Sequence, residues 1–209
     1  MGGVFVTFEG GEGTGKSTHI KLLTAALQAK GHHVVQSREP GGTPDAEALR
    51  SLLVNGETGR WTVEAEALLN YAARSSHLQE IIRPALASGH TVLCDRFMDS
   101  TRAYQGYAGG CDMSLLDALE TSVVGDTRPK LTLVFDLDPV EGLARARARS
   151  DGSEDRYERK GLVFHQRLRN GFLKIAEAEP TRCRVIDASA SIEDVAARVY
   201  EAVGPLLHG

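Results

Sequence analysis

Residues 10 to 17 read Gly10-Gly11-Glu12-Gly13-Thr14-Gly15-Lys16-Ser17 and match G-x-x-x-x-G-K-[ST]. Glycines in such a loop let the backbone curl, so that its N–H groups converge on phosphate oxygens. A following helix adds its positive end to the same point. A lysine at position 16 reaches β- and γ-phosphates, and the Ser17 hydroxyl suits Mg²⁺. The apolar run Val4-Phe5-Val6-Thr7-Phe8 before the loop reads as a strand, and the stretch from Ser17 to about Lys30 as a helix. That strand-loop-helix context separates a phosphate loop from a chance glycine turn, and it implies a bound nucleoside triphosphate.

Four other stretches carry polar groups placed for chemistry. Val92-Leu93-Cys94 runs into Asp95-Arg96, an acid and a guanidinium at a strand tip. An aspartate there either holds Mg²⁺, directly or through water, or caps the next helix; beside a phosphate loop the metal reading is favoured. Arg96 is then aimed at the same cleft, where its fork suits a second phosphate. Arg38-Glu39-Pro40-Gly41-Gly42-Thr43 makes a sharp bend after a second strand, with a Glu39–Pro40 bond that could be cis, and reads as the lip of an acceptor pocket. Asn70 and Arg74 share a face of a long helix at i and i+4, with Tyr71 beside it. Arg145, Arg147 and Arg149 precede the loop-like Ser150 to Glu154, and Asp155-Arg156-Tyr157-Glu158 follow it. This is either a solvated basic helix end or a flap whose arginines close over a triphosphate. By contrast, Asp138-Pro139 after the strand 131–137 reads as an ordinary N-cap and first helical residue.

The elements that must position these groups alternate. Strands are expected at 3–9, 33–37, 91–95, 131–137 and 183–187. Helices are expected at 16–30, 44–54, 63–88, 113–124, 139–149, 159–178 and 191–207. Short apolar strands joined by helical crossovers imply a parallel sheet covered on both faces, and ligands collect at the carboxyl ends of its strands. The 209 residues suit one domain, with 145–158 as a small lid. A hydrophobic share of 42% and a charged share of 25% describe an ordinary globular chain. A net charge of −4 argues against a general nucleic-acid binder. No apolar run has the length of a membrane span, no export signal is visible, and three unpaired-looking cysteines fit a reducing cytoplasm. The seven histidines show no metal-ligand spacing, and His32-His33 reads as a solvated turn. A regulatory GTPase would need an N-K-x-D motif, which the chain lacks.

Taken together, the motifs resemble those of thymidylate kinases over nearly the whole chain. The resemblance rests on Phe8 to Thr18, Arg38 to Thr43, Tyr71-Ala72-Ala73-Arg74, Asp95-Arg96-Phe97, Ser100-Thr101-Arg102-Ala103-Tyr104-Gln105-Gly106 and the arginine-rich flap. It implies a P-loop α/β sandwich with a five-stranded parallel sheet, a homodimer, and transfer of the γ-phosphate of ATP to dTMP on the way to dTTP. ATP would meet Gly10 to Thr18 and Arg145, with Mg²⁺ at Ser17 and Asp95. The dTMP site would comprise Glu12 near the 3′-hydroxyl, Arg38, Glu39 and Arg96 at the phosphate, and Arg74 on a thymine carbonyl. Ser100, Thr101 and Gln105 would lie around the base, and Tyr104 against the sugar where a 2′-hydroxyl would clash. Some members carry a catalytic arginine where Gly13 stands, so here the flap must supply it, with Arg149 and Arg156 the expected candidates beside Arg145 and Arg147. The family's stacking aromatic is replaced by Asn70; either Tyr71 turns in or another side chain covers the base.

Overall fold

A computed structural model describes residues 2–149 and 156–207, the side chain of Arg149 excepted. The chain order is β1 (Phe5–Gly10), α1 (Lys16–Gln28), β2 (Val34–Arg38), α2 (Pro44–Val54), α3 (Val63–His77), α4 (Arg83–Ala87), β3 (Thr91–Asp95), α5 (Met98–Thr101), α6 (Met113–Val123), β4 (Leu131–Asp136), α7 (Pro139–Arg149), α8 (Leu162–Ala178), β5 (Cys183–Asp187) and α9 (Ile192–Val203). All strands are parallel in the order β2-β3-β1-β4-β5. This is the doubly covered α/β sheet expected from the alternation.

Local chemistry starts the helices where the sequence suggests. Thr43 accepts from Ala46 N at 3.3 Å ahead of Pro44, Thr62 from Ala65 N at 3.2 Å, and Ser191 from Asp194 N at 3.1 Å. Asp138 accepts from Val140 N at 2.9 Å, the helix-start role read for it. The central strands β1, β3 and β4 are buried nearly throughout. On one face Val6, Phe8, Leu93, Leu133 and Phe135 pack against Ile20, Leu23 and Leu27 of α1 and Val195, Val199 and Val203 of α9. On the other, Phe5, Val92 and Cys94 meet Tyr71, Leu78, Ile82, Phe97 and Met98. The edge strands depart from uniform burial: β2 exposes Gln36 and Arg38, and β5 exposes Arg184 and Val185. The cysteines Cys94, Cys111 and Cys183 are buried free thiols.

Two differences from the expected elements bear on the site. The helix expected over 63–88 is divided by a π-helical turn at Leu78–Ile82. Pro84 lacks the N–H that a regular turn would use, and the wider turn accommodates it. The stretch after β3, to which the sequence pattern assigns no element, is helical: α5 runs into a π-helical segment Arg102–Ala108. That segment carries Tyr104 and Gln105, both buried.

Candidate active site at the strand tips

The carboxyl ends of β1, β2 and β3 open onto two adjoining cavities of about 210 and 120 Å³. The larger is lined by Glu12 to Ser17, Arg38 and Asp95; the smaller by Asn70, Arg74, Phe97, Ser100, Thr101, Tyr104, Gln105 and Tyr157. Glu12, Glu39, Arg50 and Arg96 line both. The two cavities therefore meet at two arginines and two carboxylates.

On the phosphate side the loop has the shape its glycines require. Gly15 takes a φ of 87° and Gly13 a φ of 69°. A side chain on Gly13 would collide with the Gly142 carbonyl of α7, so this position has no room for an arginine. Lys16 is buried and donates to the Gly11 carbonyl at 2.7 Å and to the Gly10 carbonyl and Thr14 Oγ1 at 3.2 Å. Burial, with Arg96 adding to it, lowers its pKa to about 8 against the pull of Asp95, Glu12 and Glu9. Ser17 Oγ donates to Asp95 Oδ2 at 2.7 Å, bringing the two candidate metal ligands together across 78 residues. Thr18 is exposed on the first turn of α1. Among the described residues no group of three or more His, Cys, Asp or Glu side chains could hold a metal. Two hard oxygen donors suit an ion that keeps waters and takes phosphate oxygens, which fits Mg²⁺.

Arg96 is the one non-glycine residue with positive φ among the described residues, at 68°. That backbone turns its guanidinium inward, where it donates to the Gly10 carbonyl at 2.8 Å and Glu12 Oε1 at 3.1 Å and lies over the Tyr104 ring. Tyr104 donates to the same Glu12 oxygen at 2.5 Å. Burial alone would raise the Glu12 pKa, but Arg96, Lys16 and the Tyr104 hydrogen bond bring it to about 2. Beneath the turn, Glu9 accepts from Phe97 N at 2.7 Å and Ser100 Oγ at 2.6 Å. Burial, reinforced by Asp99, raises its pKa. Asp99 in turn is clamped by the Arg182 fork at 2.7 and 3.0 Å.

On the other side, Arg74 is 2% exposed. Its Nε donates to Glu39 Oε2 at 2.7 Å and its Nη2 to Thr101 Oγ1 at 3.1 Å, while Nη1 is buried with no partner among the described residues. Glu39 also bonds His77 Nδ1 at 2.9 Å, and His77 Nε2 bonds Ser37 Oγ at 2.5 Å. The Glu39–Pro40 bond is cis. Glu39 thus lines both cavities and also holds Arg74 in place.

Several sequence expectations need correction. Tyr71, named as a dTMP contact, does not line the cavity; its ring is buried under the Arg74 guanidinium at 4.5 Å, in the core cluster with Leu78, Phe97 and Met98. Asn70 takes the cavity position instead. Arg156, a catalytic candidate, is fully buried away from the phosphate loop. It donates to the carbonyls of Leu53, Glu57 and Thr58 and to Glu66 Oε1 at 2.5 Å, which makes it an anchor to the α2–α3 connection. Arg145 donates to the Ala188 carbonyl at 3.2 Å and to Glu141, beside the β5–α9 turn rather than in either cavity. The Arg149 side chain and residues 150–155 lie outside the described residues. Arg38 lies at the phosphate cavity, half exposed, with Glu47 at 3.1 Å. Sequence reasoning missed Arg50, which lines both cavities and donates to the Pro40 carbonyl at 2.9 Å. It also missed Glu66 and Glu9. An acid inside an apolar stretch was the available signal for the last two.

A phosphate loop, an acid-arginine pair at a strand tip and a second cavity across shared arginines define a P-loop phosphotransferase acting on a small phosphorylated acceptor. The comparisons narrow this. The family model described as thymidylate kinase matches residues 8–199. Curated thymidylate kinases from Caulobacter vibrioides and Magnetococcus marinus are 56% and 51% identical to the chain, covering 96% and 97% of it and 96% of each relative. The crystal structure of thymidylate kinase from Ehrlichia chaffeensis superposes with a TM-score of 0.77 at 36% identity, over 97% of this chain and 99% of that one. The chain belongs to the thymidylate kinase family, whose members transfer the γ-phosphate of ATP to dTMP to give dTDP and ADP.

Proposed function

We propose that the 210 Å³ cavity holds the ATP phosphates, that the 120 Å³ cavity holds dTMP, and that transfer occurs where they join. The shared lining by Arg96, Arg50, Glu12 and Glu39 carries this reading. The dTMP phosphate oxygen attacks the γ-phosphorus in line, and the bond to the β–γ bridging oxygen of ATP breaks as ADP leaves. The acceptor phosphate is already anionic at neutral pH, so no general base is needed. The chain contributes alignment and fixed positive charge. Loop N–H groups from Gly10 to Thr18 and Lys16 cradle the donor, and Arg96 at the junction, with Arg38 on the donor-cavity side of it, holds the acceptor phosphate. Ser17 and Asp95 would hold Mg²⁺, which when bound neutralises phosphate charge. Glu12 faces the 3′-hydroxyl, and Tyr104, pinned by Glu12, stands against a 2′-hydroxyl. Ser100, Thr101, Gln105 and the Arg74 Nη1 donor surround the base.

With Gly13 sterically closed and Arg156 committed to Glu66, the catalytic arginine of the 145–158 lid is Arg149. Comparing Arg149→Ala with Arg147→Ala and Arg145→Ala tests this; equal turnover in all three rejects it. The single-domain organisation, the homodimer that the family resemblance implies, and a cytoplasmic location complete the reading. No helix among the described residues is long and apolar enough to cross a membrane. Light scattering of the purified chain tests the dimer. The main test is ADP release with Mg·ATP and dTMP, dUMP, UMP, dCMP, AMP or GMP offered separately. Strong preference for dTMP is expected; preference for another monophosphate would overturn the acceptor assignment.

A further inference from the structure

Two amides line the smaller cavity, and one residue outside it holds both by their nitrogens. Asn70 Nδ2 donates to the Glu66 carbonyl at 2.8 Å, and Gln105 Nε2 donates to Glu66 Oε2 at 2.9 Å. Glu66 is 2% exposed and does not itself line the cavity. Its carboxylate faces donors: Arg156 Nη2 at 2.5 Å, Tyr157 Oη at 3.2 Å and Lys160 Nζ at 4.0 Å, besides Gln105. A carboxylate only accepts, so the Gln105 amide must turn its nitrogen toward Glu66. Tyr157 Oη, donating to Glu66, is left to accept from the same nitrogen at 3.4 Å. The oxygen Oε1 is then the polar atom Gln105 can offer to an occupant. Arg74 Nη1 supplies a buried donor at the same cavity.

An acceptor beside a donor matches the N3–H and O4 edge of thymine. Cytosine carries the reverse pair, an N3 acceptor and an N4 amino donor. We propose that Glu66 is a specificity-determining positioning residue. By fixing the Gln105 amide with its oxygen toward the base, it sets the preference for dTMP over dCMP. The inference rests on the reading above that Gln105 and Arg74 face the base.

Glu66→Gln tests it. With the new amide oxygen kept by Arg156, its NH₂ faces Gln105, which turns to accept and presents its own NH₂ to the cavity. The kcat/KM ratio of dTMP to dCMP should fall by about thirtyfold, while the KM for ATP stays within about twofold. An equal loss for both pyrimidines, or an unchanged ratio, overturns the proposal. If this variant melts below the assay temperature, the ratio is read at a lower temperature where circular dichroism shows it folded, and the same fall is expected there. Gln105→Leu separates the two readings. If the ratio survives Gln105→Leu, the assignment of Gln105 to the base fails, and the role of Glu66 with it. If Gln105→Leu collapses the ratio and Glu66→Gln does not, only the role given to Glu66 fails.

Discussion

The two cavities are built by opposite means. The proposed donor side comes mostly from one continuous stretch, Glu12 to Ser17, completed by Asp95 and Arg96 at the β3 tip, Arg38 and Glu39 at the β2 tip and Arg50 of α2. Within the loop the hydrogen bonds run over short separations, as in Lys16 to the Gly10 and Gly11 carbonyls, and the Ser17 and Arg96 bonds tie the loop to the β3 tip. The acceptor side gathers side chains from α2, α3, the Phe97–Gln105 stretch and the chain around Tyr157. Those side chains are oriented by buried carboxylates: Glu39 holds Arg74, Glu66 holds Gln105 and Arg156, and Glu9 holds Ser100. Phosphate has the same shape in every nucleotide, so backbone N–H groups of one loop suffice to bind it. A base edge has a donor and acceptor pattern, and reading it takes side chains whose orientation something else must enforce.

Substitutions should separate the two sides. Lys16→Ala removes donor-side charge and should lower kcat by about a thousandfold with the melting temperature little changed. Near-normal turnover in a coupled ADP-release assay would break the assignment of the loop. Arg96→Ala, at the junction, should lower kcat/KM for dTMP by about a hundredfold and affect the KM for ATP far less. A larger effect on the KM for ATP than on kcat/KM for dTMP would place Arg96 on the donor side.

Arg156→Ala probes the acceptor scaffold instead. Stripping one partner from the buried Arg156–Glu66 pair should cost about 3–5 kcal/mol in denaturant unfolding. At a temperature where the variant remains folded, turnover should stay within about tenfold of the parent, well short of the loss for a group on the transferring phosphate. A loss as large as that of Lys16→Ala with unchanged stability would return Arg156 to the catalytic set.

The smallest effect concerns pH. Glu9 has a folded-state pKa raised from 4.5 towards 8, by burial first and Asp99 second. Below pH 4.5 both folded and unfolded chains hold the proton. As pH rises towards 8 the unfolded chain releases it while the folded chain retains it, so this contribution to stability is lost over that window. Glu9→Gln cannot titrate, and its stability relative to the parent should grow between pH 5 and about 8 in parallel melts. A constant difference would remove Glu9 from the titrating groups.

The central strands β1, β3 and β4 were legible as apolar runs because both their faces are covered, and the edge strands β2 and β5 from their shorter runs of Val and Ile. The helices 44–54, 113–124 and 139–149 lie within a residue of their expected bounds. The helical stretch from Met98 to Ala108 escaped notice because its residues are buried almost all round and show no amphipathic stripe. Among site residues, Glu12, Lys16, Ser17, Asp95 and Arg96 sit where motif spacing put them. Tyr71 and Arg156 do not, since neither motif nor periodicity says which face of a helix or which carboxylate will claim a side chain.

By itself the sequence determined the α/β order, the phosphate loop and the acid-arginine tip, since these depend on contacts between near neighbours and on burial patterns written every few residues. Only the tertiary structure decided that Gly13 has no room for a side chain, that Tyr71 lies beneath Arg74, and that Glu66 turns Gln105 and claims Arg156. Glu66 meets Gln105 across 39 residues and Arg156 across 90. Pairings over such distances are set by the stacking of whole elements, and hydrogen-bond direction in a buried site follows from whichever donors and acceptors that stacking brings face to face.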